Sequence, residues 1–277
     1  MPNAAPDHTE TGGDVPLTCR PLDQARSAAD GRNKSAYVQE MFSDIAPRYD
    51  LLNHVLSMNI DKSWRRKALG RLNWAAKPNG RYLDLCAGTL DVGAELSRRA
   101  GFTGFIVGVD FAFPMLKHGA GKAPPNVLAP VTADAMVLPF RDSSMDGAIV
   151  AFGIRNVADL DVSLREVYRA LKPAARFAIL EFSTPSSSLV RMFYHTYFHH
   201  VLPFIGKLVS GHGSAYTYLP LSVSKFPTLR ALAERMTHAG FVDVTWQALT
   251  FGIAAIHVGV VPETKSASAE AHVHAAP

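Results

Sequence analysis

Spread over 277 residues and 30.0 kDa, a composition that is 48% hydrophobic and 19% charged can bury one large α/β core and excludes a chain disordered as a whole. Two cysteines, Cys19 and Cys86, exclude a disulfide scaffold and a multi-thiolate zinc site, and they suit a reducing, cytoplasmic setting. A formal charge of +4 permits contact with an anionic membrane surface without demanding nucleic acid, no apolar run reaches the roughly 18 residues of a membrane span, and no basic-then-apolar leader opens the chain.

Residues 1–33 are rich in Ala, Asp, Gly, Thr and Pro and are expected to be a disordered tail. Residues 34–76 carry apolar side chains at helical spacing (Val38, Met41, Phe42, Ile45, then Leu51, Leu52, Val55, Leu56) and are expected to form a helical cap. From Arg81 the pattern changes to short β-branched runs alternating with helical ones. Strands are expected at 81–86, 105–110, 127–132, 145–152 and 176–182, with helices at 91–99, 112–119 and 159–171. After Phe182 the alternation stops until a helix at 228–239, followed by strand-like runs at 241–249 and 253–260. The expectation is a doubly wound parallel sheet closed by an antiparallel hairpin. The folded unit would span 34–263, with a lid-like insertion at 183–226 and a second disordered tail at 264–277.

Three candidate ligand elements fall at the carboxyl ends of successive strands, where open α/β sheets bind ligands. The first is the turn Leu83–Asp91, containing Asp84, Gly88 and Thr89, whose small residues let a ligand approach the backbone. It is neither a dinucleotide fingerprint nor a P-loop. The second is Asp110, an acid able to accept both hydroxyls of a ribose. The third is Asp134-Ala135, followed by Leu138-Pro139-Phe140, where one polar edge and an apolar face suit an adenine.

The segments VQEMFSDIAPRYD (38–50), Leu52-Asn53, Trp64-Arg65-Arg66, FGIRNV (152–157), LKPAARFAILEF (171–182), YTYL (216–219) and GIAAIHVG (252–259) carry a more specific resemblance. The chain resembles the class I S-adenosylmethionine methyltransferases, and within them the ubiquinone/menaquinone biosynthesis C-methyltransferases, from about Val38 to Gly259. The resemblance implies a Rossmann-like, seven-stranded sheet with the last strand antiparallel. It implies S-adenosyl-L-methionine as cofactor, with contacts on Thr89, Asp110, Asp134 and Ala135. Three positions depart from the family pattern: Leu90 stands where a second glycine is usual, Ala151 where some relatives have serine, and Pro173-Ala174-Ala175 in place of Pro-Gly-Gly. A Cβ at Leu90 would crowd the methionine portion of the donor or disfavour a positive φ, and binding survives if its backbone keeps a negative φ with the side chain turned into the fold.

Sulfonium methyl transfer requires no metal, only in-line alignment of a nucleophile. For a quinol the nucleophile is a ring carbon activated by its hydroxyl. Arg155 is the candidate for stabilising the developing oxyanion and Asn156 for orienting it, with Asp159 as the local carboxylate that could instead tie Arg155 into a loop. Tyr49 and Asp50 are placed to close over the site, and Tyr49 to hydrogen-bond the quinol. The aromatic stretch 192–209, with His195, His199, His200 and Lys207, reads either as core or as an apolar lid for a prenyl tail resting on a bilayer at the inner face of the membrane. The implied acceptor is a prenylated quinol, demethylmenaquinol ahead of a methoxy-polyprenyl benzoquinol; a homodimer is compatible with the sequence. The alternatives are a noncatalytic scaffold or quinone-binding protein, motivated by Leu90 and Ala151, and a methyltransferase for soluble phenols.

Overall fold

The computed structural model describes residues 33–50, 59–185 and 213–264, together with positions 23, 25, 27, 28, 57 and 192. Helices α1 (Lys34–Ile45) and α2 (Ile60–Arg71) precede strand β1 (Arg81–Leu85). Then follow α3 (Asp91–Ser97), β2 (Phe105–Asp110), α4 (Phe113–Gly119), β3 (Leu128–Thr132), β4 (Met145–Ala151), a 3-10 turn (Ile154–Asn156), α5 (Leu160–Ala170) and β5 (Leu171–Phe182). The chain closes with α6 (Gly213–Lys225), α7 (Leu229–His238), β6 (Val242–Leu249) and β7 (Ala254–Val260).

The strands form one seven-stranded sheet in the order β3-β2-β1-β4-β5-β7-β6. Strands β1 to β5 pair in parallel, while β7 runs antiparallel to both β5 and β6. Parallel strands buried on both faces alternate their side chains between two cores. Leu83, Leu85, Val107, Val109, Ala148, Val150, Phe177 and Ile179 point to one face, under α5 (Leu164, Val167, Tyr168) and α7 (Leu232, Met236). Tyr82, Ile106, Ile149, Ala178, Leu180 and Ile256 point to the other, under α2 (Trp64, Ala68, Leu69), α3 (Val92, Leu96) and α4 (Leu116). Each such fully buried aliphatic or aromatic side chain contributes about 1.5–3 kcal/mol. Asp159 caps α5 by accepting from the Val162 N–H at 3.0 Å, as its position before the apolar run predicts.

Strand order reverses between β1 and β4. That is the topological switch point at which the carboxyl ends of an open α/β sheet part to form a crevice. All three sequence-predicted ligand elements lie along it.

Two local expectations need correcting. The stretch before residue 33 is not wholly a tail: positions 23, 25, 27 and 28 are helical, and Ala25 and Ala28 pack against Val38, Met41 and Tyr218. Strand β5 begins at Leu171 rather than Arg176, because the chain resumes pairing with β4 at Met145 across a register irregularity. Within it Ala174 takes φ 61°, doing with a Cβ what glycine does in the usual turn. Residues 51–56, the aromatic stretch after Met192 and the chain from 265 onward, with their histidines and Lys207, lie outside the described residues.

Candidate active site

A crevice opens where β1, β2, β3 and β4 end. Its floor is Cys86 and Gly88 from the turn after β1, Asp110 and Phe111 from the end of β2, Asp134 and Ala135 after β3, and Ala151 to Gly153 with Asn156 after β4. Its roof is the cap: Ser35, Phe42 and Tyr49. Tyr49 meets Phe42 edge-on at 5.8 Å and packs with Ala46, Ala112 and Met115.

Sheet termini and small residues explain the floor. Gly88 takes φ 52° and faces the cavity with its N–H donated to Asp110 Oδ2 at 2.8 Å. Asp110 also accepts from the Ala112 N–H at 2.9 Å. One carboxylate therefore organises both turns, and burial pushes its pKa above the usual range against the pull of these N–H groups. Gly153 is required by proximity: a Cβ there would lie 2.3 Å from the Cβ of Cys86. Burial, with Asp110, Glu181, Asp84 and Asp134 nearby, drives the Cys86 thiol pKa well up, which disfavours the thiolate.

Leu90 takes a positive φ, 64°, the conformation its Cβ disfavours, yet its side chain is buried at 2% exposure and does not line the crevice. Gly108 and Gly119 make room for it: a Cβ on either would come within 2.3 Å or 2.9 Å of Leu90 side-chain atoms. The left-handed conformation costs about 1–2 kcal/mol, which burial of the leucine offsets at about 1.5–3 kcal/mol. The third departure, Ala151, lines the crevice.

Asp84 does not line the crevice. It is buried beneath the turn, accepts from the Gly93 N–H at 2.8 Å, and burial pushes its pKa up to about 8. It anchors the start of α3 rather than touching a ligand. Thr89 is also buried outside the crevice, where its hydroxyl donates to Asp50 Oδ1. Asp134 is exposed at the rim, with Oδ1 accepting from the Met136 N–H at 2.8 Å, and Ala135 is buried beside it.

The consecutive residues Arg155 and Asn156 point to opposite sides of their turn. Asn156 faces the crevice, 6% exposed, and its Oδ1 has no partner among the described residues. Arg155 points into a second, polar cavity. Its partner is Glu181 of β5, at 2.8 Å from Nη1, and not Asp159. Nη1 also donates to the Phe152 carbonyl, and the guanidinium lies 5.5 Å from the centroid of the Phe182 ring. The sheet register sets this pair: Ala151 lies opposite Leu180, so Glu181 follows directly beside the turn. Glu181 was detectable in the sequence as one acid inside the apolar run RFAILEF, since a buried carboxylate needs a cation.

A model of the ubiE/COQ5 methyltransferase family matches residues 31–261. The chain belongs to this family. It is 48% identical over 225 residues to the demethylmenaquinone methyltransferase of Thermus thermophilus, covering 80% of this chain and 100% of that protein. It is 45% identical over 230 residues to the ubiquinone/menaquinone biosynthesis C-methyltransferase UbiE of Geotalea daltonii, covering 82% and 97%. Among solved structures, the [4+2]-cyclase SpnF superposes with a TM-score of 0.62 at 14% identity, covering 83% of this chain and 97% of that one. This last likeness concerns fold alone. As a member of the family the chain is a methyltransferase, and S-adenosylmethionine is its methyl donor. The groups lining the crevice fit that molecule: a buried carboxylate at Asp110 of the kind that can accept from ribose hydroxyls, a turn without a side chain at Gly88, and an unpartnered amide oxygen at Asn156.

Free space in the crevice is about 50 Å³, well below the roughly 300 Å³ of a site for a molecule of that size. A chain of charges ties the cap to the sheet. Lys122 Nζ bonds Asp50 Oδ2 and Asp91 Oδ1, each at 2.6 Å; Asp91 bonds Arg65 at 2.8 Å; and Arg65 reaches Asp61 at 3.4 Å. Burial alone would raise the Asp91 pKa, but Lys122 and Arg65 hold it below the usual range. Lys122 escaped the sequence reading because it lies in a Gly-Lys loop 72 residues from Asp50, with no local pattern. Lys122→Met is expected to leave Asp50 and Asp91 repelling each other and to release the cap. Amide hydrogen exchange over residues 34–50 should accelerate about tenfold or more, corresponding to a loss of about 1.4 kcal/mol. Unchanged exchange would show that the cap is held by its apolar contacts alone.

Proposed function

We propose that this methyltransferase methylates a ring carbon of a prenylated quinol, with demethylmenaquinol as its preferred acceptor. The observation that carries this reading is the turn Ile154–Asn156 at the switch point, which sets a buried cation and an unpartnered amide oxygen at the end of β4. The names of the relatives, which are matched over nearly their whole length, support the quinol as acceptor.

When bound, S-adenosylmethionine supplies an electrophilic methyl group and leaves as a thioether. In this reading Asp110 accepts the ribose hydroxyls, the Gly88 turn lies along the donor, and Asp134 with Ala135 meets the adenine. Asp84 and Thr89 act through the turn they brace. A phenolic hydroxyl titrates near pH ~10, so ionising it at pH 7 costs about 4 kcal/mol. Arg155, buried and held by Glu181, lowers that cost through its charge. Asn156 orients the acceptor oxygen and Tyr49 closes the roof over the ring. The new C–C bond forms as the S–C bond breaks, and the ring C–H proton leaves to water, restoring aromaticity.

A prenyl tail resides in a bilayer, so the enzyme meets its acceptor at a membrane surface, to which a net charge of +4 is suited. Among the described residues no helix is long and apolar enough to cross a membrane. The test is an assay with methyl-labelled donor and both quinol classes. Label in the naphthoquinol supports the reading, label confined to the benzoquinol reassigns the acceptor, and label in neither overturns it. Equal turnover of tail-less phenols would favour a soluble-phenol enzyme.

A further inference from the structure

The most exposed large apolar side chain among the described residues is Phe251, at 80%. It lies in the turn Thr250–Gly252 between β6 and β7. Ala254 pairs with Phe182 at the end of β5, so this turn stands on the carboxyl edge of the sheet, the edge on which the crevice opens. A lone exposed aromatic is ordinary on a protein surface. This one is held on an unfavourable backbone: Thr250 and Phe251 take φ 44° and 58°, a region that a β-branched or bulky residue rarely enters. Leu90 offsets the same cost by burial, and a solvated Phe251 does not.

Side-chain bonds brace the turn. The Trp64 indole N–H donates to Thr250 Oγ1 at 3.0 Å, and the Ser183 hydroxyl donates to the Gly252 carbonyl at 2.7 Å. Trp64 in turn meets the rings of Phe152 and Phe182 at 6.0 and 6.4 Å, and Phe152 lines the crevice. Turn and crevice thus share one aromatic support. The neighbouring helix α2 supplies charge. Its Lys62, Arg66 and Lys67 are exposed, and its one acid, Asp61, is buried beside Arg65. Lys67 falls on the helix stripe between Trp64, which bonds Thr250, and Arg71, which bonds Gln247 of β6. A strained turn that presents an aromatic ring to solvent beside exposed cations suits a partner with an anionic surface over an apolar interior.

We propose that the Phe251 turn and the exposed face of α2 form the surface by which the enzyme docks on an anionic bilayer, Phe251 entering the interface while Lys62, Arg66 and Lys67 meet the headgroups. The choice of a bilayer as occupant rests on the prenylated-quinol reading above, since such an acceptor resides there. Docking by this edge sets the crevice at the membrane face.

Phe251→Asn tests this, because asparagine tolerates a positive φ and removes the ring. The probes are vesicles of phosphatidylcholine with phosphatidylglycerol and vesicles of phosphatidylcholine alone, with binding of the full chain read by co-sedimentation in the absence of quinol. The wild type should bind the anionic vesicles, less so in high salt. Phe251→Asn should lower partitioning about tenfold, as expected for one aromatic side chain that no longer inserts. Lys62→Gln and Lys67→Gln should each lower it about fivefold on anionic vesicles and not on neutral ones. The thermal midpoint of Phe251→Asn should not fall. A lower midpoint would mean that the ring packs against another part of this chain, and a change from dimer to monomer that it packs against a second copy; either overturns the docking surface. So does a wild type that binds neither vesicle, or a Phe251→Asn variant that partitions like the wild type. Methyl-labelled turnover separates the two readings: an enzyme that binds vesicles through Phe251 and labels neither quinol overturns the quinol reading and leaves the docking surface supported.

Discussion

Asp110→Ala is expected to weaken S-adenosylmethionine binding at least tenfold, and about a hundredfold where both ribose bonds count fully, because a charge-assisted hydrogen bond contributes roughly 1.5–3 kcal/mol. Two losses combine. The ribose hydroxyls lose an anionic acceptor, and the Gly88 N–H loses the oxygen that fixes its turn at 2.8 Å. Turnover at saturating donor should change far less, since Asp110 lies at the end of β2 while the reacting centre is placed at the end of β4. The pH dependence has a definite sign. Burial raises the carboxyl pKa, and only the ionised form is a full acceptor. Donor affinity in the wild type should therefore decline on acidification at a higher pH than for an exposed aspartate, and this decline should be absent in the variant. Equilibrium binding measures both; an unchanged dissociation constant would remove Asp110 from the donor site.

The sheet was legible because its signals are local. FIVGVD and MDGAIVAF are β-branched runs that end at the crevice, and their observed ends fall within one residue of expectation. Asp110 and Gly88 were legible for the same reason: strand ends and tight turns select particular residue types. What the sequence does not carry is which distant residues meet. Strands β4 and β5 pair with Ala151 opposite Leu180, so the register that brings Glu181 to Arg155 depends on the assembled sheet. Asp159, three residues beyond Asn156, was the local candidate, but its side chain is used in capping α5. The effect of Leu90 was not legible because propensity disfavours a positive φ for leucine, whereas Gly108 and Gly119, 18 and 29 residues further on, provide the space that makes it tolerable. Asp84 and Thr89 have the right place in the motif and the wrong side of the turn: both brace the backbone that faces the crevice.

The Arg155–Glu181 pair allows stability and catalysis to be separated. Its side chains are 8% and 2% exposed. Removing one partner of a buried pair leaves the other charge without compensation and costs about 3–5 kcal/mol. Arg155→Ala alone should therefore lower both stability and turnover, and the loss of turnover would be ambiguous. Arg155→Met combined with Glu181→Leu replaces the pair with apolar side chains of similar size, a change that is often neutral or stabilising by about 1–4 kcal/mol. The double variant should regain most of the unfolding free energy lost by Arg155→Ala. It should also bind S-adenosylmethionine normally, because neither side chain lines the crevice. Turnover of the quinol should nevertheless stay at least a hundredfold below wild type, since no cation remains to offset the roughly 4 kcal/mol of phenol ionisation. Denaturant melts, donor titration and labelled-methyl turnover on the same three proteins decide the matter. A double variant that recovers turnover together with stability would make Arg155 a brace for the turn and move the activation of the quinol elsewhere, with Tyr49 and Asn156 among the polar groups lining the crevice.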